Sequence, residues 1–373
     1  MIRRKRRERV FCLFFIISIF ISLSSCETGK TPVVPEPSPG DIQTLSPGRE
    51  FPIRFEEESI LVNGRENRVF TLTIDLRDER VRVEPYLSFG RVYGFERLSE
   101  MAERTQAYAA VTAGFFHMFG RPAGLFVLDG RLISRGTGIS PSLLIGQGRA
   151  WFEKQETRVY VVHEGKRIPV GGINEPVEGI LPSVVYTPEY GTYDRWDFPH
   201  MAVRVERGMI TGISMESGEV PIPREGFLLS YLDGESFNFS MGQRLELEVS
   251  PSYGEGMSGY QASGMLLENG VPVVGDTDPW IGTLNVWDPR TSVGLVDEHT
   301  LVFMVVDGRQ EGYSSGVTAR ELAGLLLDKG VRDAMILDGG SSAQMIVRGE
   351  VVNRPSFRNE ERPLAGGFMI HVD

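Results

Sequence analysis

Leu301-Val302-Phe303-Met304-Val305-Val306-Asp307-Gly308 and Ala334-Met335-Ile336-Leu337-Asp338-Gly339-Gly340-Ser341-Ser342 decide how the chain folds. Each begins as an unbroken apolar run, the pattern of a strand buried on both faces, and each run ends in Asp-Gly. Between them, Ala319 to Lys329 carries a helical stripe in Leu322, Leu325 and Leu326, a capping-box pair in Thr318 and Glu321, and a stop at Gly330. Glu321 therefore reads as a cap rather than a catalyst. A strand, a helix and a strand over this span predict a right-handed crossover joining parallel strands. If those strands are neighbours, Asp307 and Asp338 share one carboxyl edge, where ligand crevices form.

Outward from this unit the pattern is β-rich. Arg68 to Leu76, Arg80 to Leu87 and Tyr108 to Gly114 read as strands, and Arg97 to Gln106 as a short helix burying Leu98, Met101 and Ala102. Asp129-Gly130, Asn269-Gly270 and Gly349-Glu350 mark hairpin turns. Residues 150 to 250 add strands and almost no helical pattern. The expected class is α+β, with β-rich mixed sheets, few helices and the one crossover near the C-terminus. Residues 49–373 read as one large domain.

The chain has 373 residues, with 39 Lys and Arg against 50 Asp and Glu. Six of the basic residues crowd the first ten positions, so without residues 1–25 the formal charge moves from −11 to −16. No run of Lys and Arg remains to displace counterions from a duplex, which argues against a nucleic-acid partner. Phe11 to Leu23 is thirteen uncharged residues, too short to span a bilayer as a helix but suited to the apolar region of a signal peptide. Leu23-Ser24-Ser25-Cys26 then looks like a bacterial lipobox, with Cys26 as the lipidated residue. Residues 1–25 read as a lipoprotein signal peptide. Residues 26–48, broken by Pro32, Pro35, Pro37, Pro39 and Pro47, read as an extended tether. The expectation is an exported protein, lipid-anchored to a bacterial cell-envelope membrane. Cys12 and Cys26 are the only cysteines, so the body has no thiol, disulfide or cysteine-ligated metal.

Asp338-Gly339-Gly340-Ser341-Ser342 has the composition of a loop that lets backbone amides and two hydroxyls approach an anion, and equally that of a glycine hairpin leading into the strand Gln344 to Val347. Arg290 and Arg309 could supply the opposite charge as planar forks. The histidines His117, His163, His200, His299 and His371 contain no i, i+4 pair, so a zinc helix of the HExxH kind is absent. There is no P-loop and no dinucleotide fingerprint, and no cofactor is required. Asp307 and Asp338, with hydroxyls nearby, would suit a divalent cation without establishing one. Gly312-Tyr313-Ser314-Ser315-Gly316 matches a nucleophile elbow, with Asp338 and His371 following in hydrolase order. A serine hydrolase using Ser314 is thus an alternative, opposed by the residues Asp307 to Gly312 that separate the serine from its strand.

Taken together, Thr112-Ala113-Gly114-Phe115-Phe116, Pro289-Arg290-Thr291-Ser292-Val293-Gly294, Val306-Asp307-Gly308-Arg309-Gln310, Gly316-Val317-Thr318, Leu337 to Ser342 and Glu361-Arg362-Pro363 resemble, in order, the motifs of the phosphodiester glycosidases. Weaker similarity, including Val185 to Pro188 and Ala262-Ser263-Gly264, extends over most of residues 60 to 372. Departures stand at Thr112 or Ala113 and at Ile336, where the family often has Asn, and at Ser341, where it often has Gly. They bear on which sugar is taken.

The resemblance implies hydrolysis of a sugar 1-phosphodiester on envelope or environmental glycans. Asp307 or Asp338 would stabilise an oxocarbenium-like carbon or activate water. Arg290, Thr291, Arg309, Gly339, Gly340, Ser341, Ser342 and Phe116 would surround the substrate. The competing expectation is a non-catalytic glycan-binding lipoprotein that stacks sugars on aromatics such as Tyr186, Tyr190, Tyr193, Trp196, Trp280 and Trp287.

Overall fold

The two apolar runs lie in one seven-stranded sheet, separated by a single strand. Its strand order is Ile53–Val62, Arg65–Asp75, Thr300–Val306, Arg290–Asp297, Asp333–Ile336, Met265–Glu268 and Val271–Pro272. The computed structural model describes residues 51–176, 182–232 and 237–373. The expected signal peptide, the tether and Cys26 lie outside the described residues.

Alternate residues along Thr300–Val306 go to different cores because side chains switch faces at every step. Leu301, Phe303 and Val305 pack with Phe368, Met345 and Ala343, while Val302, Met304 and Val306 pack with Leu322, Ala323 and Leu326 of the helix Ala319–Asp328. Both faces are therefore covered, which is why the run shows no polar alternation. Burial of each such side chain contributes about 1.5–3 kcal/mol. The helix starts as expected: Thr318 Oγ1 accepts from Glu321 N–H at 3.1 Å and Glu321 Oε2 accepts from Thr318 N–H at 2.8 Å.

Two expectations need correction. Thr300–Val306 and Asp333–Ile336 are parallel to each other but are not neighbours, because Arg290–Asp297 lies between them and pairs antiparallel with both. The class is also further toward β than α+β. Among the described residues only Leu98–Thr105 and Ala319–Asp328 are α-helices, and the one parallel ladder joins Gly172–Ile173 to Ser183–Tyr186. Local apolar pattern gave the strands but not the third strand inserted from an earlier part of the chain.

A five-stranded sheet of Glu350–Val351, Met345–Val347, Ala109–Thr112, Gly366–Val372 and Val81–Leu87 shares a core with the larger sheet. Phe126 and Tyr260 of a second five-stranded sheet enter the same core, and the central residues 183–231 build a third around Val203 and Leu229. The hairpins at Asp129-Gly130 and Asn269-Gly270 form with left-handed φ values, +48° and +73°, and +51° and +78°. The last hairpin turns at Arg348-Gly349, one residue earlier than its sequence suggests.

Candidate active site

Asp307 directly follows the strand Thr300–Val306 and Asp338 stands two residues beyond Asp333–Ile336, at the edge where the seven-stranded sheet meets the sheet carrying Ala109–Thr112 and Met345–Val347. Pro289 stands between their loops. Gly340 N–H donates to the Pro289 carbonyl at 2.8 Å. A Cβ at Gly308 would lie 2.8 Å from Pro289 N and one at Gly339 2.8 Å from Pro289 O. These glycines allow two loops to close on one backbone segment.

The surroundings of the two carboxyls differ. Asp307 is 1% exposed and accepts from Asn353 Nδ2 at 2.7 Å, Arg354 N–H at 2.8 Å and Tyr313 OH at 3.3 Å. Burial raises its pKa to about 6 against the opposing pull of those donors. Asp338 is partly exposed, and burial raises it to about 6 as well, with Ser342, Arg362 and the Gly339 amide favouring the charged form. Asp338 N–H donates to the Ala113 carbonyl at 3.0 Å, which joins the Thr112 to Phe116 segment to the edge.

The expected cations are engaged within the fold. Arg290 is 2% exposed, and its Nε and Nη2 donate to the carbonyls of Val317 and Val286 at 3.1 and 3.0 Å. Burial lowers its pKa. Arg309 forks onto Asp288, Nη2 to Oδ2 at 2.9 Å, and reaches Ser341 Oγ at 3.4 Å. Arg362 is placed otherwise. Its Nη1 donates to Ser342 Oγ at 3.3 Å, and no carboxylate among the described residues lies within ion-pair distance of it.

The glycine loop is a single 3-10 turn, Gly340–Ser342, whose Ser342 N–H goes to the Gly339 carbonyl at 3.0 Å. Ser342 is buried and its carbonyl accepts from Thr112 Oγ1, so Thr112 stands against this turn. Thr291 is fully buried with no partner for its hydroxyl. Phe116 is partly buried, edge-on to Phe95 at 5.5 Å. Ser314 is 1% exposed; its hydroxyl donates to the Asp307 carbonyl at 2.6 Å and accepts Arg68 N–H at 3.1 Å. That hydroxyl braces a loop and has no histidine beside it, while His371 lies in Gly366–Val372 near Glu84. No three His, Cys, Asp or Glu side chains gather as a cation cage among the described residues.

Asp288, Tyr313, Asn353, Arg354 and Arg362 complete the site without having been singled out from the sequence. Asp288 and Arg362 adjoin or belong to the motifs quoted above, which was a usable signal. Asn353 and Arg354 had none, being 46 and 47 positions from the carboxylate they hold. Of the aromatics considered for sugar stacking, Tyr186, Tyr190 and Trp196 are at most 3% exposed, while Tyr193, Trp280 and Trp287 are 43%, 37% and 55% exposed.

Residues 201–371 match the phosphodiester glycosidase family. The resemblance drawn from motif order is thereby borne out over these residues. The matched stretch contains Asp288, Arg290, Asp307, Asp338 and Arg362; the Thr112 to Phe116 segment lies outside it. The chain is 38% identical over 91 residues to an uncharacterized SPbeta prophage-derived protein of Bacillus subtilis, 24% of this chain and 14% of that protein. It is 38% identical over 73 residues to N-acetylglucosamine-1-phosphodiester alpha-N-acetylglucosaminidase of Bos taurus, 20% of this chain and 14% of that one. The chain thus spans well under two thirds of the length of these relatives. In fold it is similar to a Burkholderia pseudomallei protein provisionally described as exported, with a TM-score of 0.68 and 22% identity, over 83% of this chain and 74% of that one. No helix among the described residues is long and apolar enough to cross a membrane.

Proposed function

We propose that this protein hydrolyses a sugar 1-phosphodiester by breaking the bond between the anomeric carbon and the phosphate oxygen. The observation that supports it best is Asp338: a carboxyl raised to about 6 on a partly exposed edge, bonded to Ser342 and lying in the field of Arg362. In this reading the phosphate monoester leaves with the bonding electron pair, water supplies hydroxyl to the anomeric carbon, and the water proton passes to a carboxylate or to solvent. The leaving group is already acidic, so charge stabilisation matters more than proton donation.

Asp338 is the group assigned to the reacting carbon. Asp307, held by three donors, keeps the segment at Asn353 and Arg354 in place. Arg362 is assigned to the phosphate, because the guanidinium groups of Arg290 and Arg309 already face carbonyls and a carboxylate. Ser341, Ser342, Gly339, Gly340, Thr291 and Phe116 complete the proposed surroundings of the substrate.

The proposed setting is the cell envelope, with residues 1–25 as leader, 26–48 as tether, Cys26 as lipid attachment point and 49–373 as the catalytic domain. Incorporation of labelled fatty acid into the wild-type chain but not into Cys26→Ser would support the anchor.

Incubating the purified chain with methyl phosphodiesters of several sugars in ¹⁸O-labelled water tests the activity. Label in the released sugar supports the reading; label in phosphate overturns the bond assignment. Glycan binding without turnover across the panel favours the binding protein.

A further inference from the structure

Two short turns of matching sequence meet at Gly94. Ser88-Phe89-Gly90 and Met118-Phe119-Gly120 each form one 3-10 turn, and in each the phenylalanine has a left-handed φ, +53° and +65°. Bulky residues rarely adopt that conformation, and it persists only where neighbours enforce it. Here the buried Glu96, paired with Arg104 at 2.6 Å, accepts Phe89 N–H at 2.9 Å. Gly94 N–H donates to the Phe119 carbonyl at 2.9 Å, and a Cβ at Gly120 would stand 2.3 Å from the Gly94 oxygen. The turns are locked together with their apolar side chains outward. Phe89 is 59% exposed, Phe95 42%, Met118 79% and Phe119 69%.

This surface is joined to the candidate active site by one short segment of chain. The loop leaves the Asp338 edge at Ala113, Phe115 stacks on Trp280 with ring centres 6.1 Å apart, and Phe116 meets Phe95 at 5.5 Å. Six residues from Ala113 to Phe119 cover at most about 20 Å. Ser88 is buried, so the two tips present ring and thioether surface with no exposed hydroxyl or amide side chain.

We propose that this surface binds the aglycone of the substrate, and that the aglycone is an apolar chain attached through the phosphate. The assignment rests on the phosphodiester glycosidase reading above. A glycan would need side chains that bond its hydroxyls, and these stand beside the tips, in Arg91, His117 and Arg121, whereas the exposed side chains of the tips themselves are Phe and Met, suited to an alkyl chain. Exposed apolar patches of this kind mark recognition surfaces.

The test compares methyl and octyl esters of one sugar 1-phosphate, below micellar concentration, on the full chain. Each buried methylene tightens binding about threefold to fourfold, so the octyl ester is expected to have a KM at least about tenfold lower. Met118→Ser/Phe119→Ser is expected to abolish that difference and leave the methyl ester unchanged, and Phe89→Ser, in the other turn, to reduce it. Equal KM values for the two esters, or a preference that survives in both variants, overturns the inference while the hydrolytic reading stands. If no ester is turned over, calorimetry with the methyl and octyl C-glycosyl phosphonates decides it: tighter octyl binding lost in the variants supports the surface, and equal binding sinks it. Self-association of the wild type that the variants remove would assign the patch to protein contact instead.

Discussion

Asp288 holds Arg309 by both carboxylate oxygens, Nε to Oδ1 and Nη2 to Oδ2 at 2.9 Å, and so neutralises the cation nearest the Asp307-Gly308 turn. Arg309 is half exposed, so the pair contributes under about 1 kcal/mol of stability. Its effect falls on charge distribution, since Arg309 is paired while Arg362 has no carboxylate within ion-pair distance among the described residues.

Arg362→Gln is therefore expected to raise KM for a sugar 1-phosphodiester about tenfold or more, the worth of one charge-assisted hydrogen bond. Arg309→Gln should change it less than about threefold. Steady-state kinetics on both variants checks the order; equal effects would return Arg309 to the phosphate.

The two aspartates should separate by assay. Asp338→Asn is expected to lower kcat about 10²- to 10³-fold with little change in melting temperature. Asp307→Asn replaces an acceptor facing the Asn353 amide and Arg354 N–H, and should cost about 1–3 kcal/mol of stability. Thermal denaturation alongside turnover distinguishes them, and an unchanged kcat in folded Asp338→Asn removes that residue from the chemistry.

Both carboxyls lie near 6, above the ordinary value of 3.8. Between about pH 4 and pH 6 the folded state thus binds more protons than the unfolded state, and their contribution to stability falls as pH rises through that window. Turnover that needs Asp338 ionised should fall below about pH 6. Asp338→Asn should flatten part of the stability slope between pH 4 and 6, and an unchanged slope would count against the raised value.

A different window belongs to His200. Its ring is buried, Nδ1 facing the Phe198 carbonyl at 2.9 Å and Nε2 facing Asp194 at 3.0 Å, while Asp194 also takes Ser230 Oγ at 2.7 Å. Burial opposes the charged ring, but the Asp194 bond and the carbonyl outweigh it and raise the pKa. That stability is present in full below about pH 6.5 and is lost as pH rises through the higher folded value. Melting temperature followed upward from pH 6.5 should decline in the wild type and decline less in His200→Gln.

Backbone packing gives a further check. Gly316 has φ +88°, and a Cβ there would lie 2.6 Å from the Asp288 backbone. Gly316→Ala should cost more than about 2 kcal/mol, whereas Gly324→Ala, at a partly exposed helix position with nothing within 4 Å, should be neutral or stabilising. Chemical denaturation of the two variants measures the difference.

Much of this architecture was legible locally. The apolar runs, the capped helix and the Asp-Gly and Asn-Gly hairpins depend on residues within a few positions of one another, and motif order carried the family resemblance. The insertion of Arg290–Asp297 between the two apolar strands was not legible, because strand order depends on which distant edges pair. Nor was the fate of the arginines: Arg290 meets Val286 and Val317 carbonyls, and Arg309 meets Asp288, only when separate loops close around Pro289.

By itself the sequence determined the elements, their buried faces and the two acidic strand ends, since hydrophobic periodicity and turn chemistry act at short range. Tertiary structure alone decided that Asp307 is sealed by Asn353 and Arg354, that Asp338 lies partly exposed in the field of Arg362, and that Phe89 and Phe119 face outward. The physical reason is that solvation and charge pairing at a site depend on groups brought together from far along the chain.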